Sequence, residues 1–123
     1  MRITKNFTID EMRCKCGCGK VKYDLRHMMR LQLLRDTIKK PIIISSGYRC
    51  LKHNRSIGSK DTSQHIKGTA TDIKIKGMKP DRVADLCEKI FDGVGRYDTF
   101  THVDSRGMPA RWDMRTEKKK RKK

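Results

Sequence analysis

No stretch of the chain approaches the roughly 20 consecutive apolar residues that a membrane-spanning helix needs. The N-terminal segment MRITKNFTIDEMRCKC likewise lacks the apolar run of a secretory signal. The expectation is a product synthesised in the cytoplasm without an export address, which reaches any target outside by another route. Aromatic residues are scarce, at 6% of the chain, so few rings are on offer for stacking against nucleic-acid bases. At 123 residues there is room for one modest core and none for a second catalytic domain. Five cysteines, an odd count without a signal, argue against a disulfide framework and for thiols that are buried, metal-bound or incidental.

Acid is also in short supply. Asp and Glu number 14 against 31 Lys and Arg, for a formal net charge of +17. Six basic residues and one Glu make the final TEKKKRKK +5, which leaves +12 on the body. A field of that sign favours polyanionic partners: nucleic acid, anionic lipid surfaces, or the anionic polymers of bacterial walls. The expected organisation is a domain over residues 1–113 and a disordered basic tail over 114–123, monomeric and without stable membrane insertion.

Local patterns then mark the elements. Thr8 with Glu11 three residues on has the spacing of a capping box at the start of a short helix. From Asp24 to about Lys39, Leu25, Met28, Met29, Leu33, Leu34 and Ile38 recur at helical intervals. Pro41 ends that helix, and IIISS reads as a buried strand leading into GYRC. Leu51 to Gly68 reads as a long irregular loop. TATDIKIKG alternates, so Ile73 and Ile75 share one face and Ala70, Asp72 and Lys74 the other. Pro80 opens a second helix with Val83, Ala84, Cys87, Ile90 and Phe91 as its stripe, broken by Gly93 and Gly95. In FTHVDSR, the last strand candidate, His102 and Asp104 share a face. The fold class read from this is α+β, with a small antiparallel sheet and helices on one side.

Three groups draw attention together: His65 at the loop exit, Asp72 on a strand and His102 on a later strand. Two imidazoles and a carboxylate form an open zinc set that leaves a fourth position for water, and zinc activates water and polarises a carbonyl, as amide hydrolysis requires. A carboxylate in a half-buried strand costs several kcal/mol unless it is paired or binds a metal; a salt bridge to Arg or Lys is the alternative. Cys14, Cys16, Cys18 and Cys50 offer four thiolates for a second, closed structural zinc, although the C-x-C-x-C spacing departs from the usual C-x-x-C. Free thiols, or oxidation outside the cell, are the alternatives there, and Cys87 is most simply core.

SQHIKGTATD resembles the Ser-x-His-x-x-Gly-x-Ala-x-Asp motif of the zinc D-alanyl-D-alanine carboxypeptidases, vancomycin-resistance dipeptidases and phage L-alanyl-D-glutamate endopeptidases, whose fold is shared with the hedgehog signalling domain. SSGYRC, the following HN, GVGRYDTFTHVDSRG and ARW resemble, in order and spacing, the compact single-domain branch of that family from Phe7 to Trp112. The resemblance implies that His65, Asp72 and His102 hold zinc, that Ser63 supports the turn before the first ligand, and that Arg49 holds a substrate carboxylate or the developing oxyanion. Many members carry an acidic general base three residues before the last histidine, where this chain has Thr99. Asp104 is then the preferred proton acceptor, with orientation of an imidazole as its alternative role, and Asp98 is the other candidate.

Three readings of function follow. The first is a zinc peptidase cutting the stem peptide of peptidoglycan, of the phage lysis or small carboxypeptidase type. The second is a basic nucleic-acid-binding protein with a zinc knuckle at the cysteines. The third is a module that keeps zinc and binds the wall without cleaving it, in line with the missing acid at position 99.

Overall fold

The computed structural model describes residues 1–116. An N-terminal pair of short antiparallel strands, β1 (Arg2–Thr4) and β2 (Phe7–Thr8), leads into helix α1 (Ile9–Met12). The capping box is present: the Thr8 hydroxyl accepts from the Glu11 amide, and the Glu11 carboxylate accepts from the Thr8 amide at 2.8 Å. After an irregular stretch come helix α2 (Leu25–Ile38), strand β3 (Ile42–Ser46), helix α3 (Leu51–Ser56), a 3-10 turn (Gln64–Lys67) and strand β4 (Ala70–Ile75). Helix α4 (Pro80–Cys87) and strands β5 (Gly93–Arg96), β6 (Thr101–Asp104) and β7 (Ala110–Asp113) complete the domain.

The main sheet runs β3-β4-β6-β5-β7, antiparallel except for the parallel β5–β7 pair at one edge. The α+β expectation therefore holds, with a mixed five-stranded sheet beside the small antiparallel one. Strand alternation sorts the residues cleanly between the faces. Ile73, Val94 and Val103 join Met28, Leu31 and Leu34 of α2 and Val83, Ala84 and Cys87 of α4 in the core. The opposite face carries Asp72, His102, Gly95 and Trp112 in one cross-strand row. That row is the floor of the site.

Several sequence expectations are corrected. Leu51 to Gly68 is not one irregular loop: Cys50 caps α3 by accepting from the His53 amide, and Ser63 caps the 3-10 turn. Both elements are too short for hydrophobic periodicity to announce them. Gly93 and Gly95 do not merely end a helix, because they lie within β5. A Cβ on Gly93 would overlap the Asp104 carboxylate and one on Gly95 the Trp112 indole, so glycine there makes room for neighbouring side chains. Strand β7 was likewise not expected. On α2 the apolar positions divide, since Met28 and Leu34 are buried while Leu25, Met29 and Leu33 are more than half exposed. Finally, 114–116 belong to the domain: the Met114 amide donates to the Arg96 carbonyl at 2.8 Å and the Thr116 hydroxyl to Asp98 at 2.9 Å. The expected tail beyond them, 117–123, lies outside the described residues.

Polar groups lock the helices onto the sheet. Arg96 on β5, nearly buried, forms ion pairs with Asp81, Asp85 and Glu88 along α4. His27 on α2 is fully buried, its ring between the Thr71 hydroxyl at 3.1 Å and the Ser105 hydroxyl at 2.8 Å. Burial, the largest influence on it, pushes the His27 pKa down to about 3.

Candidate metal centre and cleft

The seven-residue interval between His65 and Asp72 is filled by a turn, a reversal and a strand start. The Ser63 hydroxyl accepts from the His65 amide at 3.2 Å, which sets the turn that carries His65. Gly68 ends it in the left-handed region at φ 76°, where a side chain would be strained. β4 then begins at Ala70 and delivers Asp72 two residues later. Asp72 pairs across the sheet with His102. The imidazoles of His65 and His102 thus meet over one carboxylate, with ring centroids 5.1 Å apart.

The partners of each ring fix which nitrogen faces the centre. The Gly47 carbonyl, 2.8 Å from His65 Nδ1, can only accept, so Nδ1 carries the proton and Nε2 presents a lone pair. His102 lies between two carboxylates, Asp104 at 2.8 Å from Nε2 and Asp72 at 3.1 Å from Nδ1; with the proton on Nε2, donated to the closer Asp104, Nδ1 presents the lone pair. Both lone pairs point at Asp72 Oδ1, each at 3.1 Å. Three acceptors therefore converge with no proton among them when the rings are neutral. Such a contact is stable only if a ring gains a proton or a cation enters. The three candidate ligand atoms lie within 4.8 Å of one another, and two imidazoles with one carboxylate are a donor set suited to a divalent metal. The residues present fit such an ion.

Without metal, electrostatics takes the other route. Burial opposes charge on His102, but the Asp104 and Asp72 carboxylates outweigh it and raise its pKa. Burial would also raise the Asp72 carboxyl, yet hydrogen bonds and charge from His102 and His65 hold it well below the usual carboxylate range. Asp104 is held low in the same way, by His102 and Arg106 against burial.

Arg49 reaches the same carboxylate. Its Nη2 donates to Asp72 Oδ2 at 3.1 Å, Nε to the Ser46 hydroxyl at 3.1 Å and Nη1 to Asn54 Oδ1 at 3.3 Å. Among the described residues, these contacts engage three of its five N–H donors. Asn54 is fully buried and donates onward to the Lys60 carbonyl at 2.9 Å.

Asp104 lies behind His102 rather than in the cleft. It has no exposed surface, and Arg106 donates to both its oxygens, at 2.9 and 2.7 Å. This geometry matches the imidazole-orienting alternative, because a carboxylate so enclosed has no direct path to a group in the cleft. Replacement by asparagine, Asp104→Asn, is expected to weaken metal binding about 10- to 100-fold, the usual effect of losing a partner of a ligating histidine. Competition against a chromophoric chelator measures this, and unchanged affinity would refute the positioning role. Asp98 and Thr99 are both exposed; Asp98 accepts from Thr116, and neither lines the cleft.

The cleft, about 680 Å³, is lined by His65, Asp72 and His102 together with Arg49, Lys60 and Arg106. Its other wall is aromatic: Tyr97 and Phe100 stack at 4.4 Å, Trp112 Nε1 donates to the Tyr97 hydroxyl at 2.9 Å, and the Arg106 guanidinium sits 5.1 Å from the Trp112 ring. Sequence reasoning assigned no role to Arg106, Tyr97, Phe100 or Trp112. The only available signal was position, since they flank the His102 strand within the quoted GVGRYDTFTHVDSRG and ARW.

The four other cysteines also gather. Sγ of Cys14 is 3.4 Å from that of Cys16, and Sγ of Cys16 is 3.7 Å from that of Cys50. The ligand atoms of Cys14, Cys16, Cys18 and Cys50 lie within 4.8 Å of one another. Cys87 is buried in the core, where burial pushes its thiol up to about 12.

This arrangement is that of a metal-dependent peptide hydrolase. A family model described as peptidase M15 matches residues 5–104, and the chain belongs to that family. No curated protein sequence matches the chain at a significant level.

Proposed function

We propose that the protein is a zinc peptidase acting on the stem peptides of bacterial peptidoglycan. The observation that carries this is the convergence of His65, Asp72 and His102 on one point at the base of a cationic cleft. Zinc held there would supply an activated water at neutral pH and polarise a scissile carbonyl. Arg49 and Arg106, with Lys60 at the rim, hold the anionic end of a peptide, and Tyr97, Phe100 and Trp112 pack its aliphatic side chains. Stem peptides combine free carboxylates with small apolar residues, which is the chemistry this cleft complements. The +12 body charge favours adsorption to anionic wall polymers. Ser63 sets the turn under His65, and Asp104 fixes the His102 ring.

A second reading, a zinc-bearing wall-binding module, is favoured by one observation: among the described residues, Asp72 is the only acidic side chain lining the cleft. Incubation of purified peptidoglycan with zinc-loaded protein, followed by mass spectrometry of the soluble products, separates the two. Cleavage is expected, with the product termini identifying the bond and whether the cut is terminal or internal. Retention on the wall without released fragments would establish the binding module instead.

A further inference from the structure

We propose that Cys14, Cys16, Cys18 and Cys50 form a second, closed metal site that takes a thiophilic divalent ion, zinc by preference, and that this site is structural. The inference is independent of the peptidase reading and rests on a different part of the chain.

The first argument is distance. A tetrahedral zinc with Zn–S bonds of about 2.3 Å places its sulfurs about 3.8 Å apart along each edge. The Sγ–Sγ separations of 3.4 and 3.7 Å sit close to that edge and far from the roughly 2.0 Å of a disulfide. The second is the direction of nearby amides. The Cys50 amide points at Cys14 Sγ, the His53 amide at Cys50 Sγ and the Lys20 amide at Cys18 Sγ, each at 3.4 Å. A neutral thiol is a weak acceptor, whereas a metal-bound thiolate is anionic and draws such donors. Three amides aimed at three sulfurs are the environment of ligated thiolates.

The third argument concerns charge. Four thiolates on a divalent ion leave two negative charges, and Lys20, Lys52 and His53 line the adjoining surface. The fourth is the chain path. Residues 13–24 hold no helix or strand. Within them, Gly17 and Gly19 adopt φ of 87° and 78°, reversals that turn alternate residues of CKCGCGK toward one point and are costly for other residue types. The Cys14 amide closes the loop on the Lys20 carbonyl at 2.9 Å. So small a loop has little apolar surface with which to hold this shape, and a metal supplies what burial does not.

The site also has leverage on the cleft. Cys50 follows Arg49 directly and caps α3, while the Tyr48 amide donates to the Met12 carbonyl at 2.9 Å. An ion joining Cys50 to the 14–18 loop therefore fixes the segment from which Arg49 reaches Asp72. Binding releases the protons of those thiols not already ionised and involves no change of oxidation state.

The test uses the full chain, purified reduced and reconstituted with zinc. Wild type should hold two zinc equivalents, and the double variant His65→Ala with His102→Ala should hold one. In that double variant the four thiols should resist a thiol reagent until a chelator is added, with peptide mapping separating them from buried Cys87. Cobalt in place of zinc should give the intense thiolate-to-metal charge-transfer absorption in the double variant and lose it in Cys16→Ser with Cys18→Ser, both exposed positions. If the serine variant fails to fold, the cobalt spectrum of the histidine variant still decides. Thiols that react without chelator, a product two hydrogens lighter from an internal disulfide, or cobalt bound without sulfur charge transfer would each overturn the proposal. Two bound zinc ions with no peptide hydrolysis would sink the peptidase reading and leave this one standing.

Discussion

His65→Ala is expected to lower hydrolysis of wall peptides by at least about a thousandfold, or about 4 kcal/mol in the barrier. The size follows from the work assigned to the centre: a metal-held electrophile stabilises developing charge by several kcal/mol, and two remaining ligands cannot keep it in place. Steady-state rates on a defined stem peptide measure the effect. Metal analysis should show the loss of one equivalent, and far-ultraviolet circular dichroism should show the fold retained. The Cys14 to Cys50 cluster lies outside the altered shell, so its contents serve as an internal control. Substantial activity in a variant that has lost this ion would refute the assignment of the centre, whatever the family.

The second large effect is on stability in acid and comes from His27. The ring is buried on the side of the sheet away from the cleft, and its pKa is depressed to about 3 from an ordinary 6.5. Above pH 6.5 the imidazole is neutral whether the chain is folded or not, and it contributes its full share. As pH falls below 6.5 the unfolded chain takes up a proton that the folded chain refuses, so stability declines until the folded pKa is reached. Between pH 6.5 and 4.5 the loss is about 2 kcal/mol, because the full 1.36 kcal/mol per unit applies only once the unfolded imidazole is mostly protonated. Urea unfolding of wild type and His27→Gln at these two pH values isolates the effect, because glutamine can hydrogen-bond to Thr71 and Ser105 but does not titrate. The difference between the two proteins should move by that amount in favour of the variant as pH drops. Asp72 and Asp104, held low, add their own loss only below the carboxylate range. His102, raised in the metal-free chain, acts in the opposite direction and above pH 6.5, so neither obscures the window. A constant difference would mean that the ring accepts a proton in place.

The convergence of the candidate metal ligands was legible because the distances between them are set by local rules. A hydroxyl cap, a left-handed glycine and two-residue alternation turn the string from Ser63 to Asp72 into a geometry, and alternation in β6 supplies His102. Helices α1, α2 and α4 were legible from caps and periodicity. What escaped is what depends on distant partners. Gly93 and Gly95 look like helix breakers in one dimension; only the sheet shows that Asp104 and Trp112 occupy the space their side chains would need. Asp104 was given two roles that spacing could not separate, and spacing gave no sign that Arg106 would enclose it by donating to both its oxygens. On α2 the same spacing fits two faces, and the one facing the sheet is decided by the packing of His27, Met28, Leu31 and Leu34. Leu25, Met29 and Leu33 on the other face carry an apolar pattern of similar strength.

The edge strand β7 lies wholly beyond residue 104, where the family match ends, yet it contributes Trp112 to the cleft. It touches the sheet along one side only, through β5. Across Gly95, which puts no side chain between them, Trp112 packs on the His102 ring with centroids 4.9 Å apart, so a redesigned C-terminal ribbon is expected to change the cleft wall and the support of one candidate ligand together.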